Sequence, residues 1–233
     1  MSFHHSQENQ QKRWLELTIV LSVAFGEILY FQGLALTQGY IGGVISPRPS
    51  QELAGIIAQV TALLVLFYVG SHRNNFRHAL GLYFRKQDWI DSLLLLILGY
   101  LIFFICNALF ANVFSALLGG YPYWLTSHFE LSTSFISFVF LSINPVFEEL
   151  IVRGYLMREV AYLKKSWPLA ILLSTAFQTS YHLYQGLVPM VSWFFVFLLF
   201  SVYFAEKKRI TPLVLAHAYM DWIPSVLHLL NAS

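Results

Sequence analysis

The sequence predicts an all-α protein, a polytopic bundle of about seven transmembrane helices, and three observations support this fold class. Hydrophobic residues make up 57% of the chain and charged residues only 11%, whereas soluble domains carry about 25% charged residues. Several apolar segments are long enough to cross a hydrocarbon core, which takes about 20 helical residues. Lysine and arginine cluster in alternate connections. The net charge of +2 provides no general basic field, so we expect no nucleic-acid partner.

The apolar segments follow one another along the whole chain, separated by short joints that often contain proline. Trp14, Trp89 and Trp167 stand at segment starts, where tryptophan often anchors a helix at the membrane interface. We expect one integrated membrane domain, with N-terminal transmembrane helices in residues 1–131 and a functional core in residues 132–228. The predicted spans are 14–36, 51–70, 89–118, 132–163, 167–185, 189–206 and 211–230.

The distribution of basic residues predicts the orientation of the bundle. If the N-terminus lies inside the cell and the spans alternate, every one of the 14 lysines and arginines except Arg48 falls on the inner side. Such an excess on the inner side is typical of membrane proteins. We therefore expect the N-terminus inside and the C-terminus outside. The compact chain favours a prokaryotic plasma membrane as its location.

Ionisable residues occur inside three of the predicted spans, where they are costly. A charged side chain near the centre of a bilayer costs about 2.5–3.5 kcal/mol on insertion scales, so such residues usually face the interior of the bundle and serve a function. We therefore predict that they converge on one site. The candidate residues are Glu148, Glu149, Arg153, His182, His217 and Asp221.

The spacing of these residues predicts their arrangement. Glu149 and Arg153 are four positions apart, so they share a helix face and can form an ion pair. Neighbouring residues point about 100° apart around a helix, so Glu148 can project into a cavity while Arg153 holds Glu149. His217 and Asp221 also share a face. The groups meet at one depth only if the fourth helix continues inward to about residue 163.

The three stretches resemble the motifs of the CAAX protease and bacteriocin-processing family. Its first motif is similar to Glu148-Glu149-x-x-x-Arg153, its second is a later helix ending at a histidine such as His182, and its third is similar to His217-x-x-x-Asp221. The family includes the type II CAAX prenyl endopeptidase and bacterial relatives, some of them tied to bacteriocin self-immunity. The resemblance covers roughly residues 132–228, which would then form the catalytic core.

The second motif departs from the family pattern, which is usually Phe-x-x-x-His. Here Gln178 stands four positions before His182, and Phe177 stands five before it. Because the histidine carries the chemistry, the departure bears on substrate packing first.

The resemblance implies a mechanism and an activity. Glu148 and His182 would hold and activate a water molecule that cleaves a peptide bond of a membrane-associated peptide or protein. His217 would donate a hydrogen bond to the developing oxyanion, with Asp221 fixing its tautomer, and Arg153 would orient Glu149. The resemblance favours a metal-free mechanism without a cofactor. Zinc remains an alternative, because a glutamate, two histidines and an aspartate can supply three ligands.

Two other classes of function stay open on the sequence. A catalytically silent member would act as a membrane scaffold or a regulator of bacteriocin immunity. A small transporter would use the acids as a proton relay, although the chain has no internal repeat of the kind that transporters often show. Glu27 in the first span is either a supporting residue of the site or a satisfied interior acid.

Overall fold

The computed structural model describes residues 2–38, 44–45, 48–120, 128–129 and 134–232. Helices dominate these residues, and two strands of two residues each pair in parallel. The elements in chain order are α1 Ser2–Thr37, β1 Val44–Ile45, α2 Pro49–Gly70, α3 Phe76–Ala79, α4 Gln87–Leu118, β2 His128–Phe129, α5 Phe135–Glu149, a π-helical segment Leu150–Met157, α6 Arg158–Lys164, α7 Trp167–Ser180, a 3-10 turn Leu183–Gln185, α8 Leu187–Lys207 and α9 Thr211–Ala232.

Six helices within the described ranges are long and apolar enough to cross a membrane. Their outward faces carry large exposed apolar side chains such as Leu64, Leu101 and Leu117, which suit contact with lipid. The predicted fold class, a polytopic helical membrane bundle, is therefore confirmed. The six helices are Asn9–Thr37, Pro49–Gly70, Gln87–Leu118, Phe135–Lys164, Leu187–Lys207 and Thr211–Asn231.

The fifth predicted span differs from a continuous transmembrane helix. Its helix, Trp167–Ser180, has 14 residues, which reach about 21 Å and therefore less than the roughly 30 Å of a hydrocarbon core. The chain then leaves the helix, forms the 3-10 turn Leu183–Gln185, and enters α8 through Gly186, whose φ of 94° suits glycine. Non-helical backbone is tolerated at membrane depth where protein or a cavity surrounds it. Six long helices and one short helix thus replace the seven spans expected.

The fourth predicted span is continuous, as the proposed site requires. Ser134 caps its N-terminus by accepting a hydrogen bond from the backbone N–H of Ser137 at 3.1 Å, and the helix runs over Phe135–Lys164. All eight residues of its π-helical segment, Leu150–Met157, are buried. A π-helical segment widens the turn and changes the directions of the side chains around it, and it occurs frequently at functional sites.

Helix packing brings the polar stretches to one region of the bundle. The helix α5 packs against α2 and α9, the short helix α7 packs against α8, and α4 packs against α8 and α9. The π-helical segment contacts both α5 and α7. The helices that carry the three predicted motifs are therefore neighbours, with α1 packed beside α2.

Several arginines lie together at one end of the bundle, in ion pairs with buried acids. Arg13 and Arg73 both contact Glu159, and the Arg13 Nη1 to Glu159 Oε2 distance is 3.1 Å. Arg209, just before α9, pairs with Asp88 in the first turn of α4. The predicted orientation, with the N-terminus inside and the C-terminus outside, stays a prediction.

Candidate active site

Glu148 lies at the end of α5 with its carboxylate held by two donors. Its Oε2 atom accepts hydrogen bonds from Gln178 Nε2 at 2.8 Å and from the Tyr181 hydroxyl at 2.9 Å. The residue is only 6% exposed and lines a cavity. Because both donors bind the same oxygen, they orient the carboxylate and leave Oε1 for another partner. Hydrogen bonds to a charged acceptor are among the stronger ones in proteins.

His182 is positioned by the end of helix α7. Its Nδ1 atom lies 2.8 Å from the backbone carbonyl oxygen of Gln178. A carbonyl accepts only, so Nδ1 carries the proton and Nε2 of the neutral ring offers a lone pair. The ring packs at a tilt against Tyr181 and Phe197, with ring centroids 4.8 Å apart in both contacts. The break in the fifth predicted span therefore places a histidine with a defined tautomer beside the cavity.

Glu149, Arg153 and His217 form a buried group directly behind Glu148. Arg153 Nη1 donates to Glu149 Oε1 at 3.0 Å, and both side chains are fully buried. His217 Nδ1 lies 2.9 Å from the same carboxylate oxygen. The predicted pairing of Glu149 with Arg153 is present. Glu149 also connects α5 to α9, which the sequence did not indicate.

The structure does not show the predicted hydrogen bond between Asp221 and His217. Asp221 Oδ1 lies 3.8 Å from His217 Nε2, which is too far for a hydrogen bond. Glu149 makes that contact instead, at Nδ1, because α5 packs against α9 and brings the carboxylate beside the ring. The Nε2 atom of His217 therefore faces the cavity, and the Asp221 carboxylate lies near it.

A cavity of about 780 Å³ joins the candidate residues. Glu148, His182, His217 and Asp221 all line it, while the buried Glu149 and Arg153 do not. The six predicted residues thus divide into four at the cavity and a supporting pair behind it. Helices α1, α2, α5, α8 and α9 contribute to the wall, together with the turn after α7. The first two helices, placed outside the functional core by the sequence, therefore complete the site.

Sequence reasoning missed the direct partners of Glu148. Tyr181 directly precedes His182, and the sequence pattern marked Gln178 only as a departure from a motif. Both are polar side chains inside a predicted span and close in sequence to a candidate catalytic histidine. That position was the signal that could have found them. Phe177 packs against Phe25, with ring centroids 5.1 Å apart, and is absent from the cavity lining.

Two polar side chains on α1 and α2 also face the cavity. Glu27 lies on the cavity wall and is exposed, so it is not a satisfied interior acid, and its supporting role stays a prediction. Gln59 of α2 lines the cavity too and donates from Nε2 to Asn144 Oδ1 at 2.8 Å.

The donor atoms do not form a metal site as arranged. Among the described residues, no three histidine, cysteine, aspartate or glutamate side chains are grouped closely enough to hold a metal ion. The Nδ1 atoms of His217 and His182 contact Glu149 and the Gln178 carbonyl, as they also would in histidines that bind zinc through Nε2. The side chains would therefore have to move closer together, rather than change partners, to hold a zinc ion.

Paired glutamates and two histidines around a cavity in a membrane helix bundle are groups with which a protein can activate water inside the membrane. Residues 130–223 match the family model for type II CAAX prenyl endopeptidase Rce1-like proteins. The match covers less than half of the chain, and it confirms the resemblance of this region to the CAAX protease and bacteriocin-processing proteins. No curated protein and no solved structure matches the chain. The six apolar helices and this match indicate an integral membrane protein with a region similar to CAAX-type endopeptidases.

Proposed function

We propose that the chain hydrolyses a peptide bond of a membrane-associated peptide or protein, with Glu148 as the general base and without a metal ion. The observation that carries the proposal is the convergence of Glu148, His182 and His217 on one cavity although they come from three separate segments. Each of the three is less than 10% exposed.

The nucleophile in this mechanism is a water molecule between Glu148 and His182. Oε1 of Glu148 and Nε2 of His182 are the atoms that their other hydrogen bonds leave for it. Glu148 takes one proton as the water oxygen adds to the carbonyl carbon of the substrate. A positioned base of this kind contributes roughly 10²–10⁴-fold to a rate.

Collapse of the tetrahedral intermediate completes the hydrolysis. A protonated His217, held at Nδ1 by Glu149, donates from Nε2 to the oxyanion. The C–N bond then breaks, and Glu148 returns its proton to the leaving amine. One water is consumed for each new carboxyl and amino terminus. Arg153 keeps Glu149 in place throughout.

Cleavage by purified protein tests this proposal. The protein in nanodiscs is incubated in H₂¹⁸O with a pool of lipid-modified and membrane-inserting peptides, and new termini are read by mass spectrometry. We expect one ¹⁸O in each new carboxyl terminus and no cleavage by Glu148→Gln, which preserves the shape of the side chain. Glu206→Gln, at an exposed position on α8, is the matched control and should cleave normally. Equal cleavage by Glu148→Gln would refute the mechanism.

A catalytically silent scaffold or immunity regulator is the second candidate. The observation that favours it is Gln178, which stands where the family motif usually has phenylalanine. The same experiment separates the two: a scaffold cleaves nothing, and its function in cells survives Glu148→Gln. A protease loses its function in cells together with its cleavage activity.

A further inference from the structure

The cavity carries more negative charge than the proposed chemistry uses. Besides Glu148 and Asp221, its wall contains Glu27 from α1 and Glu52 from α2. Among the described residues, no lysine or arginine lines it. The four carboxylates outnumber the positive charge of a protonated His217, and a predominantly negative wall raises the local concentration of cationic ligands.

Glu52 is the most informative of these acids. It is 7% exposed, and its two carboxylate oxygens accept from the hydroxyl of Ser137 at 2.7 and 2.8 Å. No described lysine or arginine forms an ion pair with it. The first turn of α2, where Glu52 lies, stabilises an ionised carboxylate through the helix dipole. Buried charges are normally paired, so a cation supplied by a ligand fits this position.

A second polar group points to the same kind of ligand. Gln59, two turns further along α2, is 7% exposed and lines the cavity. Its Nε2 donates to Asn144, but its buried Oε1 atom has no hydrogen-bond partner among the described residues. Buried polar atoms are nearly always hydrogen-bonded. An acceptor of this kind suits the N–H group of a bound peptide lying between Glu52 and Glu148.

The spacing along α5 gives the register of such a peptide. Ser137 binds Glu52 through its hydroxyl. It lies on the same helix as Glu148 and about three turns from it, or about 16 Å at 1.5 Å per residue. An extended peptide advances about 3.3 Å per residue, so about five residues cover this distance.

We propose that the cavity selects peptides with a basic side chain about five residues from the hydrolysed bond, and that Glu52 binds this side chain. Glu27 adds a weaker attraction because it is exposed rather than buried, and Gln59 accepts a hydrogen bond from the peptide between the two ends. This inference rests on the proposed function, since it takes Glu148 as the reacting end of the cavity.

Binding measured without cleavage tests the inference separately. The Glu148→Gln protein in nanodiscs is titrated with dye-labelled apolar peptides that differ only in lysine or glutamine at one position, and the lysine is moved along the peptide. We expect the lysine peptides to bind at least tenfold more tightly, and Glu52→Gln added to this protein should abolish the preference. Glu206→Gln, added in the same way, should keep it. A reversed preference for a glutamate peptide in Glu52→Lys would further support the pairing.

The outcomes distinguish the two proposals. Equal affinity for lysine and glutamine peptides, or a preference that survives Glu52→Gln in correctly folded protein, overturns the inference about the basic side chain. Cleavage of the peptide pool by the unsubstituted protein with no enrichment of basic residues about five positions from the cut also overturns it. A lysine preference without any cleavage refutes the proposed function and, with it, the assigned register.

Discussion

Replacing Arg153 with methionine removes the cation of a fully buried ion pair while keeping most of the side-chain volume. Arg153 Nη1 lies 3.0 Å from Glu149 Oε1, and neither side chain is exposed. The substitution leaves the Glu149 carboxylate buried with only His217 as a partner. We expect a large loss of stability, because a buried carboxylate that keeps one imidazole as its partner and loses its guanidinium is more costly than a missing apolar contact.

The size of the loss follows from the burial of both partners. Removing one member of a buried pair costs about 3–5 kcal/mol. Unfolded helices in a membrane or detergent also find polar partners, which reduces such energies, so we expect a value near the lower end, about 3 kcal/mol. The double variant Arg153→Met/Glu149→Gln removes the charge as well as the cation. It should lie within about 1 kcal/mol of the original protein, since replacing a whole buried pair is often nearly neutral.

Equilibrium unfolding in mixed micelles, followed as the mole fraction of sodium dodecyl sulfate increases, measures these energies. Arg158→Met is the matched control, because Arg158 lies on the same continuous helix and is partly exposed. We expect it to change the free energy of unfolding by less than 1 kcal/mol. If Arg153→Met costs no more than this control, or if the double variant is as unstable as the single one, the buried pair does not have the energetic role described.

Three further outcomes are expected. Gln178→Leu should lower kcat by up to about 100-fold with little change in KM, because the Glu148 carboxylate loses a donor that orients it; an unchanged kcat would contradict this. Gly81→Ala should destabilise the protein by about 2 kcal/mol in the micelle titration, because the glycine has a φ of 77° and an added Cβ would lie 2.5 Å from the Lys208 carbonyl oxygen. Gly26→Ala, with no atom within 4 Å of its Cβ, should be nearly neutral. Cleavage should survive exhaustive chelation, and loss of activity that zinc restores would show a metal enzyme.

Much of the architecture could be predicted because hydropathy is a local property of the chain. Apolar segments that are too long for a soluble core must cross the bilayer, and the costly charges in them must face inward, whatever their neighbours are. The pairing of Glu149 with Arg153 was equally accessible, since both lie on one helix at a fixed spacing. The continuation of the fourth helix followed from the need to bring Glu149 to the depth of His182.

Contacts between helices could not be predicted in the same way. His217 binds Glu149 rather than the aspartate one turn along its own helix, because the packing of α5 against α9 brings the glutamate closer. The hydrogen bonds from Gln178 and Tyr181 to Glu148 depend on the point where α7 ends and turns. Glu52 faces the same cavity because α2 packs against α5.

The sequence by itself determined that this protein is a membrane helix bundle and which of its ionisable side chains are costly enough to need a site. Only the tertiary structure decided which of them touch, which line the cavity and which stay behind it. The physical reason is that the free-energy cost of placing a charge in lipid depends only on the sequence of the segment that carries it. A hydrogen bond across two helices depends on their packing to within a few tenths of an ångström.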